Sequence, residues 1–109
     1  MMNLSKKEKT ALKEFKQRIM KIFTEAEFVL FGSKARGRGE EFSDIDILVL
    51  LDREINTSIE EKIFEESFEV ELAHDVIFGI IVHSKKFWNS PLGKEMPIHW
   101  NIDKDGIRL

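Results

Sequence analysis

Asp44-Ile45-Asp46 opens an apolar run that ends at Leu51, and Gly32-Ser33 precedes it with ten residues between. Gly32-Ser33 stands where another apolar run, Phe28 to Phe31, gives way to the basic loop Lys34-Ala35-Arg36-Gly37-Arg38-Gly39. Residues two apart on a strand share a face, so Asp44 and Asp46 project side by side, about 7 Å apart at Cα from a rise of ~3.3 Å per residue. Carboxylates at that spacing can converge on one hard cation or bridge two. Two cations ~3.5–4 Å apart stabilise both the attacking and the leaving oxygen of an in-line phosphoryl displacement. Magnesium suits such a donor set, because it takes one or two carboxylates and completes its shell with water and phosphate oxygens. Gly32 allows a tight turn and close approach to a ligand. Ser33 offers a hydroxyl and an amide at the start of a short helix, where exposed N–H groups favour anions. Lys34, Arg36 and Arg38 add positive charge, and an Arg can grip two phosphate oxygens at once. Gly37 and Gly39 keep the loop compliant. Together these residues form a cradle for a triphosphate facing a metal site.

The surrounding pattern supplies elements to hold that cradle. Ser5 with Glu8 makes a capping box, and Leu12, Phe15, Ile19, Ile22 and Phe23 recur at helical spacing through residues 5–23. Strands are expected at 26–31 and 44–51, the second apolar on both faces beyond Ile47, like a central strand covered by helices. Ser58 with Glu61 is expected to cap a second helix. Ile59, Ile63, Phe64, Ser67 and Val70 lie near one face of it, widened by Phe68 and Leu72. A third strand is expected at 75–82. Ser84 can cap a short helix carrying Phe87 and Trp88 that ends by Pro91, and Pro97 breaks or kinks any continuous helix through 92–105. Asp105-Gly106 reads as a turn before a final strand, Ile107 to Leu109. Phe87, Trp88, Met96, Ile98 and Trp100 either complete the core or form a partner surface, since apolar count alone does not separate the two.

Composition bounds the function. The chain has 109 residues, 42% hydrophobic and 34% charged, which fits one soluble globular domain spanning 1–109. It has no cysteine, hence no disulfide framework and no thiolate metal site. No charge-free apolar stretch is long enough to span a bilayer, and the amino terminus is too charged for a secretory signal, so a cytoplasmic location without membrane attachment is expected. A net charge of −3 argues against extended nucleic-acid binding. His74, His83 and His99 lack zinc-type spacing and are assigned no chemistry.

Phe31-Gly32-Ser33-Lys34-Ala35-Arg36-Gly37 with Ser43-Asp44-Ile45-Asp46 resembles the signature of the polymerase-beta-like nucleotidyltransferases, and within them the minimal nucleotidyltransferase family. The resemblance is carried by about residues 26–51. It implies an α/β (α+β) fold, a small mixed β-sheet flanked by helices, and the use of Mg2+ with ATP or another nucleoside triphosphate. It also implies transfer of a nucleoside monophosphate to a hydroxyl on a HEPN-domain partner, as the antitoxin of a toxin–antitoxin pair. On this resemblance Gly32, Ser33, Lys34 and Arg36 bind the nucleotide, and Asp44 and Asp46 hold the metal. A third acidic residue on a later strand completes the family's site. Asp75, at the start of the run Val76 to Val82, matches that position, although His74 precedes it where the family more often has an apolar residue. The alternative is that Asp75 ends the preceding helix, with Glu71 in reserve. Two other functions compete: a binding module that neutralises its partner without catalysis, and small-molecule modification. The small-molecule enzymes use a second domain, for which 109 residues leave no room unless a homo-oligomer supplies the missing wall.

Overall fold

A computed structural model describes residues 2–37 and 43–109; the expectations placed on Arg38 and Gly39 lie outside them. The first helix, α1 (Lys6–Ile22), begins at the capping box read from the sequence. The Ser5 hydroxyl accepts from the Glu8 amide at 3.1 Å, and the Glu8 carboxylate accepts from the Ser5 amide at 2.9 Å. Its apolar stripe buries Ala11, Leu12, Phe15 and Ile19. Strand β1 (Glu27–Phe31) follows, then the one-turn helix α2 (Gly32–Ala35) and strand β2 (Ile45–Leu51). Helix α3 (Thr57–His74) crosses back to strand β3 (Phe78–Ser84). Three short helices, α4 (Lys85–Trp88), α5 (Pro91–Lys94) and α6 (Pro97–Asp105), lead to strand β4 (Ile107–Arg108).

The four strands form one mixed sheet in the order β3-β2-β1-β4. β2 is central, antiparallel to β1 and parallel to β3 through the α3 crossover. This position explains why β2 is apolar on both sides. Ile45, Ile47, Val49 and Leu51 pack with Phe28, Leu30 and Phe78 beneath α1 and α3. Leu48 and Leu50 face the opposite side and pack with Trp88 and Ile102, joined by Val29, Phe31, Ile81, Met96 and Ile98. Each large side chain buried in this way stabilises the fold by about 1.5–3 kcal/mol. The tail therefore completes a second core. Trp88, Met96 and Ile98 belong to it, while Trp100 is largely exposed, with its indole N–H donating to the Lys94 carbonyl.

Three local expectations are corrected. Asn56, not Ser58, caps α3: its side-chain oxygen accepts from the Ile59 amide at 2.9 Å, which places Ser58 inside the first turn. β3 starts at Phe78 rather than at 75, because Asp75 adopts a left-handed conformation (φ 54°) that ends α3. Phe64, Phe68 and Leu72 do not widen the buried face of α3. Ile63, Ser67 and Val70 occupy that face, and the other three stand in solvent. Pro97 begins α6 at its first turn, where a missing N–H costs nothing.

Candidate active site

The antiparallel register of β1 and β2 pairs Phe31 with Asp46, so the turn at Gly32 lies directly beside the second carboxylate. Gly32 has φ +74°, a conformation that L side chains rarely adopt, and a Cβ there would collide with Asp46 Oδ2. On the other side, the parallel register pairs Asp46 with Gly79 of β3. A Cβ at Gly79 would lie 2.5 Å from Asp46 Oδ1 and 3.9 Å from Asp44 Oδ2. Two glycines, one opening α2 and one in β3, thus form a slot around the Asp46 carboxylate, and both acids come within 4 Å of the point a Gly79 side chain would occupy. Ile45, between them, points into the opposite core and is fully buried. Asp44 and Asp46 stand on the sheet face covered further along by the tail.

This crowding has an electrostatic consequence. Burial raises the Asp46 carboxyl above its ordinary pKa, the Asp44 charge adds to the effect, and Arg36 partly opposes it. A carboxyl with a raised folded-state pKa holds its proton more tightly in the fold. Its contribution to stability is therefore present below the unfolded pKa and is lost as pH rises through the folded value. A cation bound there must displace that proton. Manganese affinity, followed by electron paramagnetic resonance, should accordingly fall by up to about tenfold per pH unit below the raised pKa. This begins at higher pH than for an ordinary aspartate, and Asp46→Asn should flatten that part of the profile.

The remaining expected site residues are placed differently. Asp75 does not join Asp44 and Asp46: its side chain is fully exposed at the end of α3, 3.7 Å from Lys7 Nζ. The reserve candidate, Glu71, is engaged by the Phe78 amide, which donates to its carboxylate at 2.8 Å. Among the described residues no group of three or more Asp, Glu, His or Cys side chains is placed to hold a metal ion. The β3 residue aligned with Asp46 is Gly79, and the run Val76 to Val82 contains no acid. Lys34 is engaged by α1. It is only 2% exposed, and its ammonium meets the Glu8 carboxylate at 2.8 Å, which ties the Gly32-Ser33 turn to the first turn of α1. Arg36 is exposed, and its charge reaches Asp46. Ser33 is half-buried in α2, directly after the turn.

Sequence reading missed Gly79, although its place on the strand beside the Asp pair is a signal once the parallel register is known. Gly79→Ala should displace the Asp46 carboxylate. Manganese affinity should fall about tenfold or more, with thermal stability reduced by roughly 1–3 kcal/mol from the added methyl group; isothermal titration and thermal melting check both. The donor set fits a hard divalent cation: two adjacent carboxylates and no sulfur. A cleft of about 690 Å³ lies between α1 and the end of α3, lined by Lys7, Glu8, Lys34, Ser43, Asp75 and Ile77 among others; Ser43 precedes Asp44 in the chain.

The model of the nucleotidyltransferase domain matches residues 9–96. The chain belongs to the nucleotidyltransferase domain family. It is 33% identical over 76 residues, 68% of this chain and 77% of the relative, to the Methanocaldococcus jannaschii protein named "Putative protein adenylyltransferase MJ0141". Its fold is similar to that of a chain in the crystal structure of a mutant toxin–antitoxin pair, MntA–HpeT. That match has a TM-score of 0.56 and 17% identity, and covers 92% of this chain and 69% of the other. The matched family region contains the Gly32-Ser33 turn, both aspartates and Gly79. No described helix is long and apolar enough to cross a membrane.

Proposed function

We propose that this chain, acting as one nucleotidyltransferase domain over 1–109, transfers a nucleoside monophosphate, AMP by preference, from a nucleoside triphosphate to a hydroxyl group on a partner protein. The observation that carries this reading is the slot: Gly32 and Gly79 hold Asp46 beside Asp44, next to the Gly32-Ser33 turn. The preference for ATP and for a protein acceptor rests on the likeness to the archaeal relative. The toxin–antitoxin setting, with a HEPN-domain partner in the cytoplasm, rests on the family resemblance and on the fold shared with the MntA–HpeT chain.

In this mechanism Asp44 and Asp46 would hold Mg2+. The bound cation would neutralise phosphate charge and lower the pKa of the acceptor hydroxyl. Ser33 and the α2 amides orient the triphosphate, and Arg36 offsets its charge at the exposed rim. The acceptor oxygen forms a bond to the α-phosphorus as the bond to the β-phosphate oxygen breaks. Pyrophosphate leaves with that electron pair, and the hydroxyl proton passes to solvent or to a carboxylate of the pair. Neither Asp75 nor Lys34 takes a step in this scheme. Catalysis rests on positioning and charge neutralisation.

Intact-mass spectrometry of the HEPN partner tests this reading after incubation with the chain, ATP and Mg2+. A mass increase of one nucleoside monophosphate supports transfer. An unmodified partner that is nonetheless neutralised in a stable complex supports the binding-only alternative.

A further inference from the structure

The face of α3 turned to solvent carries Phe64, Phe68 and Leu72, which are 44%, 56% and 69% exposed. Their spacing of four residues places them in one stripe along the helix, roughly opposite the buried Ile63 and Val70. Carboxylates frame the stripe: Glu61, Glu65 and Glu69 run beside it at the same spacing, and Glu60 and Glu71 lie on its other flank. Lys62 is the one Lys or Arg in the helix, and its charge faces Glu66 at 3.7 Å. Arg18 of α1 engages Glu66 and Glu69. Glu61 and Glu65 have no salt-bridge partner among the described residues.

An apolar stripe with an acidic frame selects its occupant by charge. A second copy laid stripe to stripe would oppose Glu61 and Glu65 to their own counterparts, and an anionic lipid surface would be repelled in the same way. A helix with an apolar stripe flanked by Lys or Arg satisfies both features. The position is also informative. Glu71, at the end of the stripe, binds the amide of Phe78, and Phe78 is paired with Ile45 between the two aspartates. The Leu72 end of the stripe therefore lies at the carboxylate end of the fold.

We propose that the Phe64–Phe68–Leu72 stripe of α3 is the docking surface for a basic amphipathic helix of a partner protein, seated with one end toward the end of the fold that carries Asp44 and Asp46. Docking is independent of transfer chemistry and is read by binding alone. The probe is a fluorescent helical peptide of about 18 residues, long enough for a stable helix, with a Leu stripe flanked by Arg. A control peptide has Glu in place of each Arg. Fluorescence anisotropy should show the basic peptide binding the intact chain, more weakly as salt rises, and the acidic peptide failing to bind. Phe68→Ser with Leu72→Ser, and separately Glu61→Lys with Glu65→Lys, should each weaken binding about tenfold or more. Because all four positions are exposed, melting curves should confirm that both variants stay folded. Failure of the basic peptide to bind the wild type would overturn the proposal, as would equal binding by wild type and variants. A wild-type dimer in sedimentation that Phe68→Ser with Leu72→Ser converts to monomer would assign the stripe to a second copy instead.

Discussion

Asp44→Asn with Asp46→Asn should lower the proposed nucleotidyl transfer by about 1,000-fold or more, while the protein should stay folded and should still bind its proposed partner. The expected size follows from removing both charges assigned to the cation in the proposed mechanism and so losing most of the electrostatic stabilisation of the transition state. Stability should move the other way. The Asp46 carboxyl is raised by burial and by Asp44, so its ionised form is held at a cost that Asn does not incur. The melting temperature of the cation-free protein should rise on the order of a few degrees at neutral pH, and this gain should shrink in acid, where Asp46 is already protonated. The competing account, neutralisation by binding alone, predicts full antitoxin activity in the double variant. Steady-state transfer rates, thermal melting and a neutralisation assay together separate the two.

Glu8→Ala should be the most destabilising single change outside the apolar core. Glu8 closes the capping box of α1 and also faces the ammonium of Lys34, which is only 2% exposed. Burial alone would raise the Glu8 carboxyl, but hydrogen bonds from Lys34 and Ser5 outweigh it and hold the pKa below its usual value. Its contribution is therefore present above the unfolded carboxylate pKa and is lost as pH falls through the lowered folded one. Removing Glu8 breaks a buried ion pair and opens the cap, at a cost of roughly 3–5 kcal/mol. In a domain of this size that corresponds to well over about 10 °C in melting temperature. Glu8→Gln with Lys34→Met keeps the cap and removes both charges, so it should recover most of the loss. If Lys34 held the triphosphate, Lys34→Met would instead weaken ATP binding with little change in melting.

Particular residues explain which features sequence could convey. α1 was legible because its cap and its apolar period agree, and β2 because a strand apolar on both faces must be central. The approach of Gly32 to Asp46 follows from two adjacent strands joined by a short connection, so local spacing carries it. Lys34 was not legible, because its partner is 26 positions away and already accounted for as a cap. Asp75 misled for a different reason: an acid ahead of an apolar run suits a strand start, but equally a helix stop, and only the backbone conformation decides. α3 is apolar on two faces at the same helical period. Periodicity identified the helix but not which face the sheet covers. Gly79 carries no side chain to draw attention, and its importance emerges only from the parallel register.

The proposed reaction breaks the bond between the α- and β-phosphates. The most direct measurement runs parallel incubations of the chain, its partner and Mg2+ with ATP labelled either at the α- or at the γ-phosphate. Transfer of label to the partner from α-labelled ATP alone, with labelled pyrophosphate released from the γ-labelled reaction, is the result expected here. Label reaching the partner from the γ-phosphate would mean phosphoryl transfer and would contradict the account, as would no label from either.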